Sequence, residues 1–201
     1  MSTQSKSVDQ SKDQLHVLGI SGSLRMGSLN TAALNAAVEL APAGMKIEIC
    51  DLSPLPLYNE DLRKDGFPNP VSEFRERIAK AGALLIITPE YNYSIPGVLK
   101  NALDWASRSP DSPLNEKPVA ILGASPGNFG TVRAQLALRQ LCFAMNMFPL
   151  NKPEVMIARA NEKFDANGRL FDEPTRAIIG KLLQELEGWT SLLRRNHIPQ
   201  N

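Results

Sequence analysis

Histidine and cysteine are scarce in this chain, and their scarcity removes most side-chain chemistry at once. The two histidines are His16, inside an apolar run, and His197, near the end. Neither stands where it could serve a serine or cysteine nucleophile, so a hydrolase triad is excluded. Cys50 and Cys142 both lie in apolar surroundings; they give no disulfide framework and no thiolate metal cluster, and read as buried spectator thiols. Charge of one sign is also lacking: 22 lysines and arginines against 21 aspartates and glutamates leave a net charge of +1. That balance gives no reason to expect nucleic acid or an anionic membrane surface as partner, and weakens the case for a small acidic electron carrier docking on basic partners. No apolar run approaches the roughly 20 residues of a membrane span. The first 13 residues are rich in Ser, Gln and Lys, with no apolar core to make a secretory signal. The expected location is the cytoplasm.

What is present is a regular alternation. Short apolar runs at 16–21, 46–51, 83–88, 118–124 and 154–157 read as strands. The run Ala83-Leu84-Leu85-Ile86-Ile87 is apolar on both faces, as a central parallel strand must be. Between the runs lie helical stripes: Leu34, Ala37, Val38 and Ala41; Val71, Phe74, Ile78 and Ala81; Val98, Ala102, Leu103 and Ala106; Ala134, Leu138, Leu141, Cys142 and Met145. The fifth is the longest, from Ile178 through Leu193, with Pro174 just inside its start where a missing N–H costs nothing. Five strands alternating with five helices predict an α/β doubly wound parallel sheet in the order 2-1-3-4-5, with helices on both faces. One domain over residues 14–196 is expected, between a disordered tail at 1–13 and a short one at 197–201.

In such a sheet ligands bind beyond the carboxyl ends of the strands, which singles out three loops. The first is Gly22-Ser23-Leu24-Arg25-Met26-Gly27-Ser28-Leu29-Asn30. It runs from a strand into a helix start, where unpaired N–H groups and the helix dipole favour an anion. Ser23, Arg25, Ser28 and Asn30 would add donors to a phosphate; the same pattern also describes an ordinary helix cap with a solvated arginine. The Walker lysine and the G-x-G-x-x-G fingerprint are both missing. The second loop, Pro89-Glu90-Tyr91-Asn92-Tyr93-Ser94-Ile95-Pro96-Gly97, offers an aromatic surface and fixed backbone groups to a flat heteroaromatic ligand. The third is Gly123-Ala124-Ser125-Pro126-Gly127-Asn128-Phe129-Gly130-Thr131, whose glycines allow close backbone approach and whose Ser125 or Thr131 can cap the next helix. A phosphate cradle and a flat slot without reactive side chains imply that a cofactor carries the chemistry, and flavin mononucleotide (FMN) has that outline.

At these residues the chain resembles the NAD(P)H-dependent FMN reductase family, in particular its quinone, chromate and azo-dye reductase members, which have a flavodoxin-like fold. The first loop looks like the family's G-S-x-R-x-x-S-x-N phosphate loop. Residues 89–105 look like its P-E-Y-N-x-S-x-P-G-x-L-K-N-A-x-D-W signature. Leu55-Pro56-Leu57-Tyr58-Asn59-Glu60-Asp61 also matches, and the likeness spans residues 17–157. The resemblance implies non-covalent FMN with its phosphate on Ser23, Arg25, Ser28 and Asn30. Pro89, Glu90, Tyr91 and Asn92 would lie along the ribityl chain and ring, with Tyr93 nearby and Ser125 and Gly127 flanking the ring through backbone contacts. It further implies NADPH or NADH as co-substrate and a small-molecule acceptor such as a quinone, chromate, azo compound or flavin. A homodimer or homotetramer is implied, in which residues 58–61 approach a neighbour's flavin, and Glu90 can serve an interface instead of the cofactor. A non-enzymatic electron-transfer protein of the same fold is the alternative.

Overall fold

β1 (Leu15–Ser21) lies in a parallel sheet between the edge strand β2 (Met45–Cys50) and the central strand β3 (Ala83–Ile87). β4 (Pro118–Ala124) follows β3, and the strand order is 2-1-3-4-5, as expected for a flavodoxin-like sheet. The computed structural model describes residues 14–196; the expected tails at 1–13 and 197–201 lie outside the described residues. Burial follows position: every residue of β3 and β4 is buried, whereas β2, at an edge, alternates.

The fifth strand departs from expectation. It is split into β5 (Phe148–Pro149) and β6 (Val155–Ile157), both pairing with β4. Proline at 149 and 153 removes two ladder donors from this edge, so pairing lapses between the two pieces.

The helices α1 (Leu29–Glu39) and α5 (Glu173–Asn196) cover one face of the sheet. There Ala33, Leu34, Ile179, Leu182 and Leu186 pack on Val17, Leu85 and Leu122. On the other face lie α2 (Asn69–Lys80), α3 (Gly97–Ala106) and α4 (Val132–Ala144), packing Phe74, Ile78, Leu99, Leu103 and Leu138 on Leu18, Ile20 and Ile121. Each stripe predicted from periodicity supplies a core, although Val38 and Ile178 lie at its exposed margin. Cys142 is buried in α4, where desolvation pushes its thiol up to about 12; Cys50 is buried too, and burial raises it. His16 lies in β1 and bonds Glu48 of β2 at 2.8 Å.

Two glycines are dictated by close approach. A Cβ on Gly123 would stand 1.9 Å from Thr131 Oγ1 and 2.3 Å from the Thr88 carbonyl, so only glycine lets α4 begin this close to the sheet. Gly130 has φ +58° with the Met156 backbone against it, which no side chain would tolerate. Both positions fix the third loop.

Candidate active site

The first loop is a chain of short-range hydrogen bonds. Ser23 N–H reaches Ser21 Oγ at 3.3 Å, Arg25 N–H reaches Ser23 Oγ at 3.4 Å, and Ser28 N–H closes a turn on the Arg25 carbonyl at 3.0 Å. Ser28 is the N-cap of α1: its Oγ accepts the N–H groups of Asn30 and Thr31, leaving its own hydroxyl proton to be donated elsewhere. The Arg25 side chain is exposed, and among the described residues its guanidinium has no ion pair. A cation left unpaired beside a helix N-terminus is a net attraction for an anion.

Asn30 is buried and occupied. Its Oδ1 accepts from Ala124 N–H and its Nδ2 donates to the Ala124 carbonyl, both at 2.9 Å. This two-point clasp ties the first loop to the end of β4, so Asn30 positions the two loops against each other.

The second loop is a tight reverse turn. Tyr91 and Ser94 exchange both backbone hydrogen bonds at 3.0 Å, with Asn92 at φ 49° and Tyr93 at φ 68°. Positive φ at both central residues is the type I′ geometry, which asparagine tolerates well and tyrosine less so. Pro89 is buried at its base, while Tyr91 and Tyr93 are exposed. The Tyr93 ring lies over the Arg133 guanidinium at 4.0 Å, with Phe129 at 5.2 Å on the same group.

Glu90 is engaged within the chain. One carboxylate oxygen accepts the backbone N–H groups of Arg133 and Ala134 at 2.9 and 3.2 Å; the other takes Arg133 Nη1 at 2.6 Å. Burial raises its pKa, but the Arg133 guanidinium and the two α4 N–H groups outweigh that effect and hold the carboxyl below its ordinary value. Glu90 therefore caps α4. The capping expected of Ser125 or Thr131 is not made: Thr131 occupies the N-cap position without a side-chain bond to the helix backbone, its Oγ1 instead accepting from Gln135 Nε2. Ser125 Oγ accepts Gly127 N–H at 3.1 Å within its own loop.

The third loop is stitched to the segment after β6. Ser125 N–H donates to the Ile157 carbonyl, Ala160 N–H to the Ser125 carbonyl and Arg159 N–H to the Gly127 carbonyl, each at 3.0 Å. The backbone groups of Ser125 and the N–H of Gly127 are thus engaged, and the hydroxyl proton of Ser125 is the donor left over.

Together Ser23, Arg25, Ser28, Asn30, Pro89, Glu90, Tyr91 and Ser125 line one cavity of about 140 Å³. Asn92 and Gly127, expected at the cofactor, are not part of its lining: Asn92 sits at the exposed tip of the Tyr91–Ser94 turn, and Gly127 lies one residue beyond Pro126. A larger cavity of about 560 Å³ lies on the other side of the first loop, lined by Gly27, Ser28, Asn35, Asn161, Phe164 and Asn167. The smaller one carries the donor set, the unpaired cation and the aromatic rim, and the chemistry of those donors fits FMN better than the amide-lined groove does. Among the described residues no cluster of His, Cys, Asp and Glu could hold a metal. The 58–61 segment is fixed from α3: Asn101 accepts Tyr58 N–H at 2.7 Å and donates to the Pro56 carbonyl at 2.9 Å, joined there by Trp105 Nε1 at 2.8 Å.

The model of the NADPH-dependent FMN reductase family matches residues 15–162. The chain belongs to that family. Its FMN-dependent, NAD(P)H-linked oxidoreductase character follows from this membership and from its relatives. The chain is 58% identical over 182 residues to an NAD(P)H-dependent FMN reductase of Pseudomonas aeruginosa, covering 90% of this chain and 98% of that protein. It is 41% identical over 166 residues to a quinone reductase of Escherichia coli, covering 81% and 88%. In structure it is similar to FerB, a flavoenzyme NAD(P)H:(acceptor) oxidoreductase of Paracoccus denitrificans. That match has a TM-score of 0.81 and 34% identity, over 88% of this chain and 97% of FerB.

Two residues tied to these loops, Arg133 and Arg159, lie outside the three loop motifs. Arg133 in the first turn of a helix opposes the dipole, and that misplacement was a usable signal; its meaning needed Glu90, 43 residues away.

Proposed function

We propose that Arg25, with the hydroxyls of Ser23 and Ser28 and the α1 N-terminus, holds the FMN phosphate. The chain then works as a reductase of quinones and similar small acceptors, including chromate, azo compounds and free flavin. The observation that carries this reading is the unpaired Arg25 cation in a cavity that it shares with Tyr91 and Ser125. FMN supplies the two-electron redox chemistry that none of the lining side chains can provide.

The protein's part is placement. Asn30 fixes the distance between phosphate loop and third loop; Glu90, through α4, fixes the second loop against the third. Pro89, Tyr91 and Asn92 form the rigid turn along which a flat ring lies, and the Ser125 hydroxyl is a donor at its edge. NADPH or NADH and then the acceptor approach the open side in turn.

A homodimer or homotetramer goes with this reading. Leu136 and Phe143, seven residues apart on α4, and Phe129 just before it, which shares the Arg133 guanidinium with Tyr93, expose large apolar side chains. The compartment implied is the cytoplasm; no helix among the described residues is long and apolar enough to cross a membrane.

The test is direct. Purified protein is expected to be yellow, to retain FMN on gel filtration and to oxidise NAD(P)H with a quinone present. Arg25→Ala is expected to weaken FMN binding by about tenfold or more, the loss of one charge-assisted phosphate contact. Colourless protein that takes up no added FMN would overturn the reading.

A further inference from the structure

We infer that Arg159 holds a phosphate of the incoming nicotinamide dinucleotide, an inference that rests on the FMN reading of the adjoining loops. Arg159 stands between β6 and a short 3₁₀ turn at Ala160–Glu162, with φ 48° and ψ 44°. This left-handed conformation suits glycine or asparagine better than arginine, so the local backbone gives no reason for the residue found there. The side chain does. Its backbone N–H bonds the Gly127 carbonyl at 3.0 Å and its Nε bonds Asn128 Oδ1 at 3.0 Å, which holds the guanidinium against the third loop. Nη1 and Nη2 have no partner among the described residues, and Glu162, on the same short turn, forms no ion pair with it. The residue is exposed.

Two residues further on, Asn161 lines the 560 Å³ cavity together with Gly27 and Ser28. The segment that carries Arg159 thus joins the third loop to the back of the phosphate loop. The FMN phosphate already has Arg25, Ser23 and Ser28. A second exposed cation at this junction, oriented through Nε and with both Nη groups free, matches the two-pronged contact that a guanidinium makes with a phosphate. Among the molecules that the reaction brings to these loops, the dinucleotide carries the most phosphate: a pyrophosphate and, in NADPH, a 2′-phosphate.

Arg159→Gly removes the guanidinium and keeps the left-handed backbone without strain; Arg159→Lys restores charge without the fork. On FMN-loaded full-length protein, FMN content is read from absorbance, 2′,5′-ADP and ADP binding from calorimetry, and KM and kcat for NADPH and NADH with a quinone. The expected result for Arg159→Gly is retained FMN and a KM for NADPH raised about tenfold, with partial recovery in the lysine variant. A rise confined to NADPH, with weakened 2′,5′-ADP, assigns the 2′-phosphate. An equal rise for both dinucleotides, with weakened ADP, assigns the pyrophosphate. Unchanged KM and unchanged ligand binding would overturn the inference, and so would loss of FMN from Arg159→Gly, which would place the residue in the flavin cradle. A colourless wild-type protein overturns the FMN reading itself, and absorbance distinguishes that failure before any nucleotide is added.

Discussion

Glu90 and Arg133 meet at 2.6 Å at the start of α4, where the same carboxylate also accepts two backbone N–H groups of the helix. A residue of the second loop thereby completes the helix that follows the third. Arg133 in turn stacks under Tyr93 at 4.0 Å, so the tyrosine-bearing turn is tied to the start of α4, next to the third loop. Rigid support of this kind is what a cofactor slot without reactive side chains requires.

Glu90→Gln keeps the shape and removes the charge from this cap. Stability in urea at pH 7 is expected to fall by about 1–2 kcal/mol with the m value unchanged. The Glu90 carboxyl is held below its ordinary 4.5, so its contribution is complete above that value and is lost as pH falls through the lowered folded one. The gap between wild type and variant should therefore close in acid. A gap that stays constant down to the acid limit of folding would contradict the assignment.

Asn30→Ala removes both arms of the Ala124 clasp and leaves a buried N–H and C=O unpaired. The expected loss is about 2–3 kcal/mol, accompanied by weaker FMN retention because two loops lose their spacing. Thermal unfolding and flavin titration measure the two effects separately.

Neither thiol is expected to react in the native protein. Burial pushes Cys142 up to about 12 and raises Cys50, so thiolate is scarce at pH 8 and reagent access is closed. Labelling with a chromogenic disulfide should be slow until denaturant is added, then reach both cysteines. Fast labelling of folded protein would show that one of them is open.

Gly123→Ala places a methyl group against Thr131 Oγ1 and the Thr88 carbonyl, and Thr88, just past the end of β3, is held in place by its N–H bond to the Leu122 carbonyl. A loss of about 3 kcal/mol is expected, with α4 displaced and flavin fluorescence altered. Differential scanning calorimetry checks the first outcome and the flavin spectrum the second.

Most of the sheet was legible in the chain. The apolar run at 83–88 could only be a strand buried on both faces, and the stripes at 71–81 and 134–145 could only be amphipathic helices. Tails apart, the boundaries fell within one or two residues for the first four strands. The divided fifth strand was less legible, because two prolines interrupt an edge whose pairing is decided by β4 rather than by its own residues. The first loop was legible as a cluster of polar donors, Ser23, Arg25 and Ser28, and the structure brings these three to one cavity. The role of Asn30 was not, since its partner Ala124 lies 94 residues away. Capping of α4 was misplaced for the same reason: local pattern offers Ser125 and Thr131, whereas the carboxylate that fills the site arrives from another loop.

The sequence by itself determined the class of fold, the three loops and their donors, because periodicity and local turn chemistry act over a few residues. Tertiary structure alone decided how those donors are spent. Asn30 became a clasp, Glu90 a helix cap, and Arg25 was left as an exposed cation, through hydrogen bonds that span from 43 to 94 residues of chain. A buried polar group must be paired wherever a partner can be found in space, and its distance along the chain has no bearing on that requirement.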